Sequence, residues 1–253
     1  MKPNEQTSRK PLRSTALFIV LMVCLLATSC GKGIELAGYA WNAEVVSSGA
    51  GGVYTPFSMA FVCNTENSGV AFFAETYPDD PMPYGTAVRF SYTWDGDEGS
   101  FQLDDGSGIS LPVYYEKRAE KPAVVVDITP MRDYFQRYAT EYSLERTEYY
   151  SPQSVDGTHW EFAFDGGDAH YSYSLGFGSD TALLRLDCTN ADGDTAVVTW
   201  TITEYSYAEG VGRMKIRSDA FNVYFNGYFY LPDEHHLNFF DSENLLPMSR
   251  YER

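Results

Sequence analysis

From Leu36 onward, hydrophobic and polar residues alternate in short runs, and clusters of Gly, Asp, Asn, Ser and Pro break them. Alternation with a period of two sends successive side chains to opposite faces, as a half-buried strand requires. In the first half this predicts strands over 39–46, 55–63, 70–75, 87–94, 100–103, 110–115 and 123–128. In the second half it predicts strands over 158–164, 170–177, 182–188, 195–205, 213–216, 221–225, 228–231 and 237–240. Asn226-Gly227 reads as a tight hairpin turn, because both residues accept positive φ. One segment changes period. Met131, Tyr134, Phe135, Tyr138 and Tyr142 recur at helical spacing, behind Thr129 as N-cap and Pro130 at the first helical position. The spacing predicts an amphipathic helix over 130–142, followed by a polar linker over 143–156.

The two halves resemble each other. Gly38-x-x-Trp41 returns as Gly157-x-x-Trp160, and YTWDGDEGSFQL at 92–103 matches YSYAEGVGRMKI at 205–216. CNTENSGVA at 63–71 has an echo in CTNADGDTA at 188–196. The offsets differ, so a duplication needs insertions, one of them the loop TYPDDPMPYG. The expected fold is all-β: two tandem antiparallel up-and-down barrels or meanders joined by one amphipathic helix. The alternative is a single larger β-sandwich. The expected boundaries are a signal at 1–29, a tether at 30–35, a β domain at 36–128, helix and linker at 129–156, and a second β domain at 157–253.

Composition supports strands over helices. Aromatic residues make up 16% of the chain, and 44% of residues are apolar, enough for a packed core. The chain carries −17 and residues 1–29 carry +3, leaving −20 on the rest. Such a body is repelled by nucleic acid and by anionic head groups.

The N-terminus explains the positive charge. Lys2, Arg9, Lys10 and Arg13 precede an apolar run over 15–27 that is too short to span a bilayer, and small residues follow it. This reads as a secretory signal. Its end, Ala27-Thr28-Ser29-Cys30, resembles the lipobox of bacterial lipoproteins. The resemblance implies that Cys30 becomes the lipidated first residue, that the membrane is a partner through that lipid, and that the protein sits at the outer membrane. Gly31 is not the aspartate that retains lipoproteins at the inner membrane. The run Gly31–Glu35 selects neither the periplasmic nor the surface side. Cys63 and Cys188 remain in a compartment that permits disulfides, as a candidate bridge or as two free thiols.

A glycine shortly before a tryptophan, followed by a meander of strands, resembles the tandem lipocalin-like domains of bacterial (Bacteroidota-type) lipoproteins. The resemblance implies that Trp41 and Trp160 each close a barrel end, with Gly38 and Gly157 allowing close backbone approach.

Little points to catalysis. The chain has no G-x-S-x-G elbow, no P-loop and no H-E-x-x-H. His235-His236 beside Asp233 reads as a polar turn, as does Asn190-x-Asp192-Gly193-Asp194. His159 and Glu161 share a strand face that His170 reaches across a hairpin, a His-Glu-His alternative that ranks below plain strand positions. The expectation is a non-enzymatic envelope protein without cofactor or metal. It binds a small apolar ligand or serves as an envelope scaffold. The alternative is a surface glycan-binding lipoprotein, with Tyr77, Tyr84, Tyr149 and Tyr150 as stacking residues.

Overall fold

A computed structural model describes residues 33–48, 54–77, 80, 82–117, 121–131, 140–179, 181–218, 223–241 and 243–251. The signal segment and Cys30 lie outside the described residues.

The alternation folds into two closed barrels of eight antiparallel strands each. The first comprises β1 (Tyr39–Ser48), β2 (Tyr54–Cys63), β3 (Ser68–Glu75), β4 (Tyr84–Trp94), β5 (Glu98–Leu103), β6 (Ser110–Tyr115), β7 (Ala123–Asp127) and β8 (Glu141–Thr147). The second comprises β9 (His159–Gly166), β10 (Ala169–Phe177), β11 (Ala182–Asn190), β12 (Thr195–Ala208), β13 (Val211–Ser218), β14 (Val223–Tyr230), β15 (His236–Phe240) and β16 (Leu245–Arg250). Within each barrel, each strand pairs with the next. β1 closes on β8, and β9 closes on β16.

The two barrels start in the same way. Gly38 and Gly157 take φ of +80° and +75°, a region that disfavours other residues. The Gly38 N–H donates to the Cys63 carbonyl at 2.7 Å, and the Gly157 N–H to the Phe177 carbonyl at 2.8 Å. Each glycine thereby ties the entry of its barrel to the end of the second strand. Three residues on, Trp41 and Trp160 turn inward and are fully buried. The Trp41 indole N–H donates to the Leu36 carbonyl, and that of Trp160 to Thr158 Oγ1.

Several expectations are corrected. β8 is a strand, so the first barrel ends at Thr147 instead of 128. The signal was weak because only Tyr142 and Leu144 point inward, between Glu141, Ser143, Glu145 and Arg146. Tyr142 therefore belongs to β8 and not to a helix. Thr129–Met131 forms a 3-10 turn, and positions 132–139 of the expected helix lie outside the described residues. Asn226-Gly227 is not a turn: β14 runs straight through it. Gly227 is needed because a Cβ there would stand 2.7 Å from the Phe239 ring. β16 was not anticipated. Of the three internal matches, 38–41 with 157–160 aligns β1 with β9, and 92–103 with 205–216 aligns β4–β5 with β12–β13. The echo at 63–71 and 188–196 joins the β2–β3 turn to the β11–β12 turn, which are not equivalent. Turn chemistry recurs at any hairpin, so similar residues there do not fix register.

The first barrel's interior is filled. Phe61 stacks on Phe101 at 4.9 Å between centroids and meets Phe73 and Phe90 edge-on at 5.7 Å. Replacing Phe61 with Ala leaves a cavity that rigid strands cannot close. It should cost about 3–5 kcal/mol in urea denaturation; a cost below about 1 kcal/mol would show a loosely packed interior.

Candidate functional site

Most strands bury one face, but β3 buries six consecutive residues, Gly69–Ala74. Ala71 and Phe73 point into the first barrel. Val70, Phe72 and Ala74 point out, together with Ala40, Ala60 and Val62, and meet Val211, Tyr228, Tyr230 and Phe240 on the outside of the second barrel. Phe72 lies 4.7 Å from both the Tyr230 and the Phe240 ring centroids. Alanines at 40, 60 and 74 keep the surface low, so the barrels approach closely.

Backbone bonds pin the contact. Leu245 N–H donates to the Pro83 carbonyl at 3.0 Å and Gly85 N–H to the Glu243 carbonyl at 2.9 Å. At Gly85 a Cβ would stand 2.9 Å from the Phe240 ring. Tyr150 N–H donates to the Leu231 carbonyl at 2.9 Å on the linker.

A cleft of about 640 Å³ opens beside this contact. It exists because β1 and β8 pair over only three residues, Ala40–Asn42 against Thr147–Glu145. Beyond them β1 follows β2 and β8 follows β7, and the seam splays. Its floor is apolar: Ala60, Phe72, Ala74, Phe240 and Leu245. Asn238 stands in the cleft wall and donates to the Tyr230 hydroxyl at 3.1 Å. Burial holds the Tyr230 phenol above its ordinary pKa, so it stays neutral. Glu44, Glu141 and Glu145 stand at the rim with Ser58, Ser143 and Thr147. Lys121 pairs with Glu145 at 3.4 Å from outside. Among the described residues no Lys or Arg lines the cleft, so its field favours a neutral or cationic group beside an apolar body.

A second feature lies in the second barrel. β13 leaves β12 at Thr201, and β16 pairs with β9 only at Trp160 and Glu161. The inward side chains beyond those points are only half-buried. There Phe164 stacks on Tyr171 at 5.0 Å, and Tyr173 stacks on Trp200 at 6.3 Å, both with 14° between planes. Phe164 and Tyr173, at 6.5 Å, join the pairs into one row of near-parallel rings. Sequence reasoning passed over this row, because inward aromatics on strands read as core.

The four tyrosines chosen from the sequence separate. Tyr77 and Tyr84 meet edge-on at 5.6 Å and are 40% and 47% exposed. Tyr149 is half-buried, its hydroxyl donating to the Glu209 carbonyl at 2.9 Å, and it packs under Gly210 as a structural ring. Tyr150 is exposed, with its backbone bridged to Leu231. Cys63 and Cys188 are not bridged: both are free thiols, each on its own barrel. His170 bonds Asp165 at 2.8 Å instead of joining His159. Asp233 accepts the His235 and His236 N–H groups, and Asn190 Oδ1 accepts those of Asp192 and Asp194, as turns. Among the described residues no group of His, Cys, Asp and Glu is placed to hold a metal ion. Among them no helix is long and apolar enough to cross a membrane. No family model, curated protein or solved structure matches this chain.

Cys63 is fully buried and burial pushes its thiol pKa up, whereas Cys188 is partly exposed. On residues 31–253, a thiol reagent should label one cysteine in the native protein and both after denaturation. Two equally fast native thiols would contradict the packing around Cys63.

Proposed function

We propose that this chain is a non-enzymatic lipoprotein of the cell envelope, tethered at the outer membrane through Cys30. Its two lipocalin-like barrels hold a small, largely apolar ligand in the cleft between them. The signal-like N-terminus and the lipobox resemblance support the tether. The observation that carries the ligand is the 640 Å³ cleft with its apolar floor and acidic rim. A filled first barrel leaves no lumen there for a carrier role, so binding moves outside it. The acidic rim adds to the reading: the ligand bears no negative charge at that end, and an amine or hydroxyl group suits Glu44 and Glu141. An envelope scaffold role replaces ligand binding if the cleft is empty in the cell.

The row Tyr171, Phe164, Tyr173 and Trp200 favours a second reading, a glycan platform, since sugar faces stack on aromatic rings. It is a candidate in addition to the exposed Tyr77, Tyr84 and Tyr150, whereas Tyr149 is taken up in packing under Gly210.

Native mass spectrometry of residues 31–253, exported to a periplasm, should show extra mass released by gentle activation. Ser58→Trp, which fills the cleft wall, should remove it. A bare mass for the unsubstituted protein would sink the ligand and leave the scaffold role. In cells, Cys30→Ala should move the full chain from the membrane to the soluble fraction; unchanged membrane retention would refute the tether. Trp200→Ala should abolish retardation in polysaccharide affinity gels if the glycan reading holds, and no retardation of the unsubstituted protein would exclude it.

A further inference from the structure

A second, smaller cleft of about 280 Å³ flanks the same inter-barrel contact, and its chemistry is opposite. Arg89 on β4 enters it from the first barrel and Arg213 on β13 from the second, with Asn64, Ser68 and Ser206 beside them. The register explains the meeting. Arg89 pairs with Val70 on β3, and Arg213 pairs with Tyr228 on β14; Val70 and Tyr228 both belong to the buried inter-barrel contact. Each arginine therefore stands one strand away from the contact, facing its counterpart.

Neither arginine forms an ion pair with a described residue, although the body carries −20. Other cations of this acidic protein are engaged. Lys117, Lys121, Arg185 and Lys215 sit on carboxylates, and Arg146 and Arg250 lie over the rings of Tyr39 and Trp160. Arg213 makes only a 3.4 Å hydrogen bond to Asn226 Oδ1. Asn64 spans the barrels, its amide donating to the Ala208 carbonyl at 3.4 Å. Two guanidinium groups held in one small cleft repel each other until an anion arrives.

We propose that this cleft binds a small phosphate-ester anion. A guanidinium presents a planar fork that grips two oxygens at once, and two forks from opposite walls need a ligand with at least three oxygens around one centre. Phosphate meets that need and a single carboxylate does not. The Asn64 amide and the serine hydroxyls supply further donors. Since the walls belong to different barrels, the bound anion also clamps the barrels together.

Isothermal titration of residues 31–253, which hold every described strand, tests this with inorganic phosphate, glycerol phosphate, and vesicles of phosphatidylglycerol against phosphatidylcholine. Saturable binding of a phosphate probe is expected. Arg89→Gln and Arg213→Gln should each weaken it at least tenfold, and the double variant should remove it. Lys215→Gln, on the same strand but outside the cleft, should leave it unchanged. Arginine-dependent binding of glycerol phosphate points to a soluble ester. Arginine-dependent binding of phosphatidylglycerol vesicles alone points to a lipid head group, and either outcome upholds the phosphate chemistry. No binding of any probe, or equal loss with Lys215→Gln, overturns it. Arg89 and Arg213 are exposed and Lys215 is half-buried beside Glu204, so circular dichroism of each variant separates lost binding from lost fold.

Discussion

Phe72 is held between two barrels, its ring 4.7 Å from those of Tyr230 and Phe240, and it belongs to a strand with no solvent face. Burying such a ring contributes about 1.5–3 kcal/mol, and each aromatic pair adds about 0.5–1.5 kcal/mol. The surrounding alanines matter as much as the ring, because a larger side chain at 40, 60 or 74 would lift the barrels apart. The backbone bonds between 83–85 and 243–245 add direction to a contact that apolar burial alone would leave free to slide. Two closed barrels have no sheet edges to join. Side-chain packing and these short bridges therefore carry the connection.

Both clefts follow from that contact. Two convex barrels touch along a patch and diverge around it. The divergence on the β8 side is wider because the β1–β8 seam splays after three pairs. Charge then distinguishes the two openings: glutamates rim one, and arginines face each other in the other. The barrels themselves are spent on stability. Trp41, Phe61 and Phe101 fill the first, and the second is closed at the end that holds Trp160 and Phe229. Sites consequently arise where the barrels meet or splay, and not in a conventional barrel lumen.

Much of the fold was legible because strand periodicity is a local signal. The positive-φ glycines at 38 and 157, each three residues before a buried tryptophan, marked both barrel starts. The misreadings have physical causes. β8 hid behind its charged outer face. Asn226-Gly227 imitated a turn, while Gly227 serves to admit the Phe239 ring. The site was almost illegible. Glu44, Phe72, Asn238 and Leu245 converge only after two barrels close and dock, and no spacing in the sequence encodes that. One signal was available: Val70–Ala74 is apolar without alternation, which a strand needs only when both faces are covered.

The central claim is that the Phe72 contact makes one cooperative body of two barrels. Differential scanning calorimetry of residues 31–253 tests it most directly, by comparing calorimetric with van't Hoff enthalpy. A single transition with a ratio near one, splitting into two when Phe72 is replaced by Asp, is the predicted result. Two independent transitions in the unsubstituted protein would contradict the account, and both inter-barrel clefts would lose their basis with it.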